Sequence, residues 1–103
     1  MLNEKLRQEI ENDIKTNKIV IYMKGTADAP MCGFSARSVQ ILQSYGLHVK
    51  DHNVFASEEI RQGIKEFTNW PTLPQIFING EFIGGCDIIT EMHENGELAQ
   101  LLK

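Results

Sequence analysis

The sequence predicts an α/β fold in which a central four-stranded mixed sheet is flanked by helices, and three observations predict it. Ile19 to Met23 is a short, β-branched apolar run of the buried-strand type, lying between two helical patterns. A second strand pattern at Val49 to Val54 follows the second helix and completes a βαβ crossover. Asn79-Gly80 then separates two further apolar runs, the strongest short hairpin signal a sequence carries.

Taken in order, Leu6, Ile10 and Ile14 recur every fourth residue among charged neighbours, which predicts an amphipathic helix over about residues 3 to 16 with its apolar stripe on the sheet. The first strand, Ile19 to Met23, ends at Lys24-Gly25, and a loop through Pro30 delivers Cys32 just past the strand end. From Ala36 the pattern Val39, Ile41, Leu42, Tyr45 reads as a helix closed by Gly46. Ser57 with Glu58 and Glu59 marks the start of a third helix, acids in its first turn where the dipole favours them, running to about Phe67. Trp70-Pro71-Thr72-Leu73-Pro74 stops it. Gln75 to Ile78 and Glu81 to Ile83 form the hairpin. Gly84-Gly85 lets the backbone approach a neighbour closely, Asp87 caps a helix carrying Ile88, Ile89 and Met92, and a short helix with Leu98, Leu101 and Leu102 finishes the chain.

At 103 residues the chain has room for one core, so residues 1–103 are expected to form a single domain. A net charge of −4 with no clustered Lys/Arg surplus excludes a general nucleic-acid binder, whose phosphate contacts need one. No apolar run approaches the ~20 residues that span a bilayer, so no membrane role is expected. Met1 to Thr16 bears acids and lacks both a secretory apolar segment and an Arg/Ser-rich presequence. A cytoplasmic location is the expectation, with the mature form of an imported organellar protein left open. Cys32 and Cys86 are too few for a disulfide framework and read as thiols. No exposed apolar stripe compels a dimer interface.

Cys32-Gly33-Phe34-Ser35 carries one cysteine at a helix start where a redox protein would carry a Cys-x-x-Cys pair. Unsatisfied backbone N–H groups and the positive end of the helix dipole favour thiolate there, and Lys24 adds a cation from the preceding strand end. A lone thiolate cannot resolve its own mixed disulfide; it waits for an outside thiol or binds something that takes thiolate. Pro71 and Pro74 read either as an extended lead-in to the strand or as a cis Leu73-Pro74 bond turning backbone groups toward a ligand. Gly84-Gly85-Cys86-Asp87 reads either as a turn with an N-cap or as an anion site at a helix start.

Lys24-Gly25-Thr26, Cys32-Gly33-Phe34-Ser35, Trp70-Pro71-Thr72-Leu73-Pro74-Gln75 and Gly84-Gly85-Cys86-Asp87 together resemble the monothiol glutaredoxins with a Cys-Gly-Phe-Ser site, over nearly the whole chain. Ala27 stands where many members have proline. The resemblance implies a thioredoxin-like (glutaredoxin) fold and a glutathione site. It implies that Lys24 and Arg61 take the glycine carboxylate of glutathione, and that the backbone of Leu73, before a cis Pro74, pairs with its cysteinyl part. The backbone of Cys86 and Asp87 would receive the γ-glutamyl carboxylate, the Asp87 side chain its ammonium, and Phe34 would shield the Cys32 thiolate.

The resemblance further implies a [2Fe–2S] cluster shared by a homodimer, held by one Cys32 from each protomer and the thiols of two glutathiones, four thiolates in all. On that footing the chain is an iron–sulfur carrier, taking cluster from a scaffold and handing it to apo-protein clients. The alternative is a glutathione-dependent thiol oxidoreductase acting on protein mixed disulfides, with Cys32 catalytic. A third reading is a regulatory complex with a BolA-family protein. Cys86 contributes backbone, or forms a regulatory disulfide, and is not a cluster ligand. His48, His52 and His93 show no paired spacing of a structural zinc site.

Overall fold

The computed structural model describes residues 2–103. Its elements are α1 (Glu4–Thr16), β1 (Ile19–Met23), α2 (Gly33–Gln43), β2 (Lys50–Asn53), a single 3₁₀ turn at Val54–Ala56, α3 (Glu58–Thr68), β3 (Gln75–Ile78), β4 (Glu81–Gly84), α4 (Cys86–Glu94) and α5 (Glu97–Leu101). The strands form one sheet in the order β2-β1-β3-β4, parallel between β1 and β2 and antiparallel elsewhere. This is the mixed four-stranded sheet of the thioredoxin-like fold.

Strand β1 lies inside the sheet and every one of its residues is buried. Successive side chains leave on opposite faces, so the strand feeds two cores. Ile19, Ile21 and Met23 pack with Val39 and Leu42 of α2, Ile89 of α4, and Leu98 of α5. Val20 and Tyr22 pack with Leu6, Ile10 and Ile14 of α1 and with Ile64 of α3. The stripe of α1 therefore meets the sheet as its spacing predicts. Asn3 starts that helix by accepting the Leu6 N–H at 2.8 Å. Asn79 and Gly80 both take positive φ between β3 and β4, the turn on which the hairpin expectation rests.

Two boundaries differ from the sequence reading, while helix α2 begins at Gly33 with Cys32 as its N-cap, at the helix start read there and three residues before the apolar pattern begins. Its first turn is anchored by the polar Ser35, fully buried, which periodicity does not register. Strand β2 stops at Asn53, because the Asn53 side chain accepts the Phe55 N–H at 2.9 Å and turns Val54 into the 3₁₀ segment. Asp87 is not the cap of α4: Gly85 is, with no side-chain bond, and Asp87 lies inside the first turn.

Candidate functional site

Cys32 precedes α2 in extended backbone (φ −156°), which sets its sulfur near the free N–H groups of the first turn without a cap hydrogen bond. Those groups hold the thiol below its ordinary range. The Ser35 N–H contributes most, followed on the same side by the Phe34 N–H, the Ser35 hydroxyl and the Lys24 charge, against a smaller opposing effect of burial. The direction is the expected one, but the backbone outweighs the lysine. Ser35 has a second task, accepting the Lys24 N–H at 3.2 Å across the junction of β1 and α2. The position a second cysteine would occupy is a buried structural hydroxyl.

The loop between Lys24 and Met31 folds back on itself, with Gly25 bridging to Pro30 and the Met31 N–H bonding the Lys24 carbonyl at 2.9 Å. Gly25 has φ +90°, and a Cβ there would lie 2.5 Å from the Ala29 carbonyl oxygen, so no other residue fits. The Gly25 N–H is received by Asn53 Oδ1 at 3.0 Å and the Ala27 N–H by Asp51 Oδ2 at 2.7 Å.

A groove of about 430 Å³ runs from Lys24 and Phe34 to the start of α4, within the range of small-ligand sites. Arg61 and Lys65, one turn apart on α3, line one side; Trp70 to Pro74 form the floor, and Gly85 to Ile88 the far wall. The Leu73–Pro74 peptide is cis. Gln75 shapes that floor from beneath. Fully buried, its Nε2 donates to the Trp70 and Thr72 carbonyls at 2.9 and 3.2 Å, while Thr68 Oγ1 donates to its Oε1 at 2.8 Å. Gly85 lies so close to the floor that a Cβ would stand 3.1 Å from the Pro74 carbonyl oxygen. The Arg61 guanidinium is loosely paired with Glu58 at 3.6 Å, and its buried Nε has no partner among the described residues.

The groove thus gathers Lys24, Phe34, Arg61, Leu73, Pro74, Cys86 and Asp87 in one wall system. Cys32 sits on an adjoining groove with Gly33, Phe34, Arg37, Cys86, Asp87 and Thr90. Phe34 lines both, so it stands between thiol and groove. Met31 and Phe34 are 65% and 63% exposed, apolar surface on either side of Cys32 in the chain. Cys86 is a free thiol with its sulfur 3.9 Å from Thr90 Oγ1, and Cys32 is free as well.

Sequence reasoning missed Lys65, Trp70, Gln75, Asp51 and Asn53. Lys65 was readable as the residue one turn after Arg61; Asp51 and Asn53 act through hydrogen bonds between distant elements, and Trp70 and Gln75 through the local turn of the groove floor, none of which a periodic pattern carries. The histidines lie elsewhere. His52 stacks on Tyr22 with centroids 4.6 Å apart and sits 3.0 Å from Asp13 Oδ2, not aligned as a hydrogen bond. His93 Nδ1 meets the Tyr45 hydroxyl at 2.6 Å. Among the described residues no three His, Cys, Asp or Glu side chains cluster as a metal site, and no helix is long and apolar enough to cross a membrane.

Residues 19–83 match the family model described as Glutaredoxin. The chain is 52% identical over 103 residues to the probable monothiol glutaredoxin 2 of Rickettsia felis, covering 100% of this chain and 99% of that one. It is 48% identical to the mitochondrial monothiol glutaredoxin-5 of Schizosaccharomyces pombe, covering 100% of this chain and 73% of the relative. Among solved structures, that of reduced apo GrxS14 from poplar superposes with a TM-score of 0.84 at 44% identity, covering 94% of this chain and 89% of that one. With its single thiol in Cys-Gly-Phe-Ser and Ser35 where a second would stand, the chain belongs to the glutaredoxin family, as a monothiol member with glutathione-dependent thiol chemistry.

Proposed function

We propose that the protein is an iron–sulfur carrier whose cargo, a [2Fe–2S] cluster, is held between two copies of the chain by Cys32 of each and by the thiols of two bound glutathiones. The observation that carries this reading is the thiol arrangement at the mouth of the groove. The Cys32 thiol is held below its ordinary range, its neighbour in the first turn is a buried hydroxyl, and a groove lined by Lys24, Arg61 and Lys65 adjoins it. One protomer presents one sulfur; a four-thiolate cargo then needs a second copy and borrowed thiols. The exposed Met31 and Phe34 beside the sulfur supply apolar surface for such a pairing. Two non-protein ligands make the cargo exchangeable, which suits delivery to apo-protein clients from a scaffold. A mixed complex with a BolA-family protein would use the same exposed sulfur.

In the groove, Lys24 and Arg61 would hold the glycine carboxylate of glutathione and the start of α4 its γ-glutamyl carboxylate, with Asp87 on the ammonium. Lys65, on the same helical face as Arg61, adds a cation to that end.

The second reading is favoured by the same lowered thiol. Cys32 thiolate attacks the glutathione sulfur of a protein mixed disulfide; the client sulfur leaves as thiolate and takes a proton, and a Cys32–glutathione disulfide remains. A second glutathione thiolate then attacks that glutathione sulfur, releasing oxidised glutathione and restoring Cys32 thiolate.

The two readings separate in one comparison. Reconstituted protein mixed with an apo [2Fe–2S] acceptor should transfer cluster within minutes, while the cluster-free protein turns over a glutathionylated peptide slowly. Fast turnover without measurable transfer would reverse the assignment.

A further inference from the structure

The loop between Lys24 and Met31 brings a lysine and the Cys32 thiol to one place, yet its own hydrogen bonds only close it on itself. The Gly25–Pro30 bridge, the Met31-to-Lys24 bond and the reciprocal Thr26–Ala29 pair all lie within the loop. Its orientation against the sheet depends on side chains from outside. Lys24, Gly25 and Ala27 each give their backbone N–H to one: Ser35 of α2, Asn53 of β2 and Asp51 of β2.

Asp51 and Asn53 are two residues apart on an edge strand, so their side chains leave on the same face. Their partners in β1 are Ile21 and Met23, the residues leading directly into the loop. A strand bearing Lys50, Asp51, His52 and Asn53 contributes little apolar surface, and all four are only half-buried. The bond to Asp51 is short, as bonds to an ionised acceptor are. Asn53 Oδ1 accepts twice, from Gly25 and from Phe55, and so couples the loop to the 3₁₀ turn behind it.

We propose that Asp51 and Asn53 are positioning residues: from the edge strand they hold the loop that carries Lys24 and delivers Cys32, and thereby set the anion-binding end of the groove. Neither lines the groove. Their effect passes entirely through the backbone they hold, and the consequence for glutathione rests on the reading of the groove given above.

The test uses the full chain with Asp51→Ala, Asn53→Ala and Asp51→Asn, the last keeping an acceptor oxygen while removing a charge that would repel an anion. The dissociation constant for reduced glutathione should rise about fivefold in each alanine variant, the scale of one typical lost hydrogen bond, and stay within about twofold of wild type in Asp51→Asn. Alkylation of Cys32 by neutral iodoacetamide should slow about threefold in the alanine variants and not in Asp51→Asn. Alanine variants that match wild type in both readouts overturn the proposal, as does an Asp51→Asn protein as impaired as Asp51→Ala. If the wild type fails to bind glutathione, the reading of the groove falls, and the alkylation series still decides whether these residues position the thiol.

Discussion

The Ser35 hydroxyl accepts the Lys24 backbone N–H at 3.2 Å and, from the same buried position, contributes to holding the Cys32 thiol down. The serine of the Cys-Gly-Phe-Ser site is therefore a joint between the end of β1 and the start of α2. Ser35→Ala leaves a half-buried N–H without its acceptor and should cost about 1–2 kcal/mol in chemical denaturation. It should also raise the titration midpoint of Cys32. Ser35→Thr, which keeps the hydroxyl, should restore the midpoint more than the stability, since the added methyl enters a filled site.

The pH dependence of Cys32 follows from the direction of its shift. A thiol lowered in the folded state loses its proton there before it does in the unfolded chain, so its contribution to stability is complete above the unfolded value near ~8.5 and is lost as pH falls through the folded midpoint. Alkylation rate against pH should show a midpoint below that of a free thiol. Cys32→Ser should remove the corresponding slope in stability between the two values.

Gln75 makes all its bonds to the groove floor and to Thr68. Gln75→Leu keeps the volume and leaves the Trp70 and Thr72 carbonyls without this donor, at about 2–3 kcal/mol of stability. Glutathione affinity should fall with it, while the titration of Cys32, which depends on α2, stays where it was. Denaturation, calorimetric titration and alkylation on the same variant check the three expectations together.

His52 is lowered by burial, an effect that Asp13 partly offsets. A histidine depressed in the folded state contributes stability that is present above its unfolded value of ~6.5 and is lost as pH falls through the folded one. Asp13→Asn removes the offset, moves the His52 resonance midpoint further down in NMR titration, and deepens the acid-side loss. His52→Phe should make the stability profile flatter below pH ~6.5.

The strands and helices were legible because each has a local signature. The continuous apolar run of β1, the i, i+4 stripe of α1 and the Asn79-Gly80 turn follow from backbone geometry within a few residues. The start of α2 was legible from Cys32-Gly33-Phe34-Ser35 and not from periodicity, since Gly33, Phe34 and Ser35 have no apolar period; the bond by which Ser35 ties that turn to Lys24 was not legible. Arg61 became a site candidate only through resemblance, and Lys24 first as a cation near Cys32; the fold brings them to one groove from positions 37 residues apart (61 − 24). Asp51 and Asn53 escaped because what they do is written in hydrogen bonds to a loop more than twenty residues away. Gln75 escaped because its bonds to Thr68, Trp70 and Thr72, though local, form only where the chain turns at the groove floor.

The central claim, that Cys32 and glutathione together hold an exchangeable cluster, is met most directly by anaerobic reconstitution with iron, sulfide and glutathione, followed by native mass. The account predicts a brown dimer containing one [2Fe–2S] unit and two glutathiones, absent when glutathione is withheld and absent in Cys32→Ser. A colourless monomer from the wild type, or a cluster that forms without glutathione or without Cys32, would contradict it.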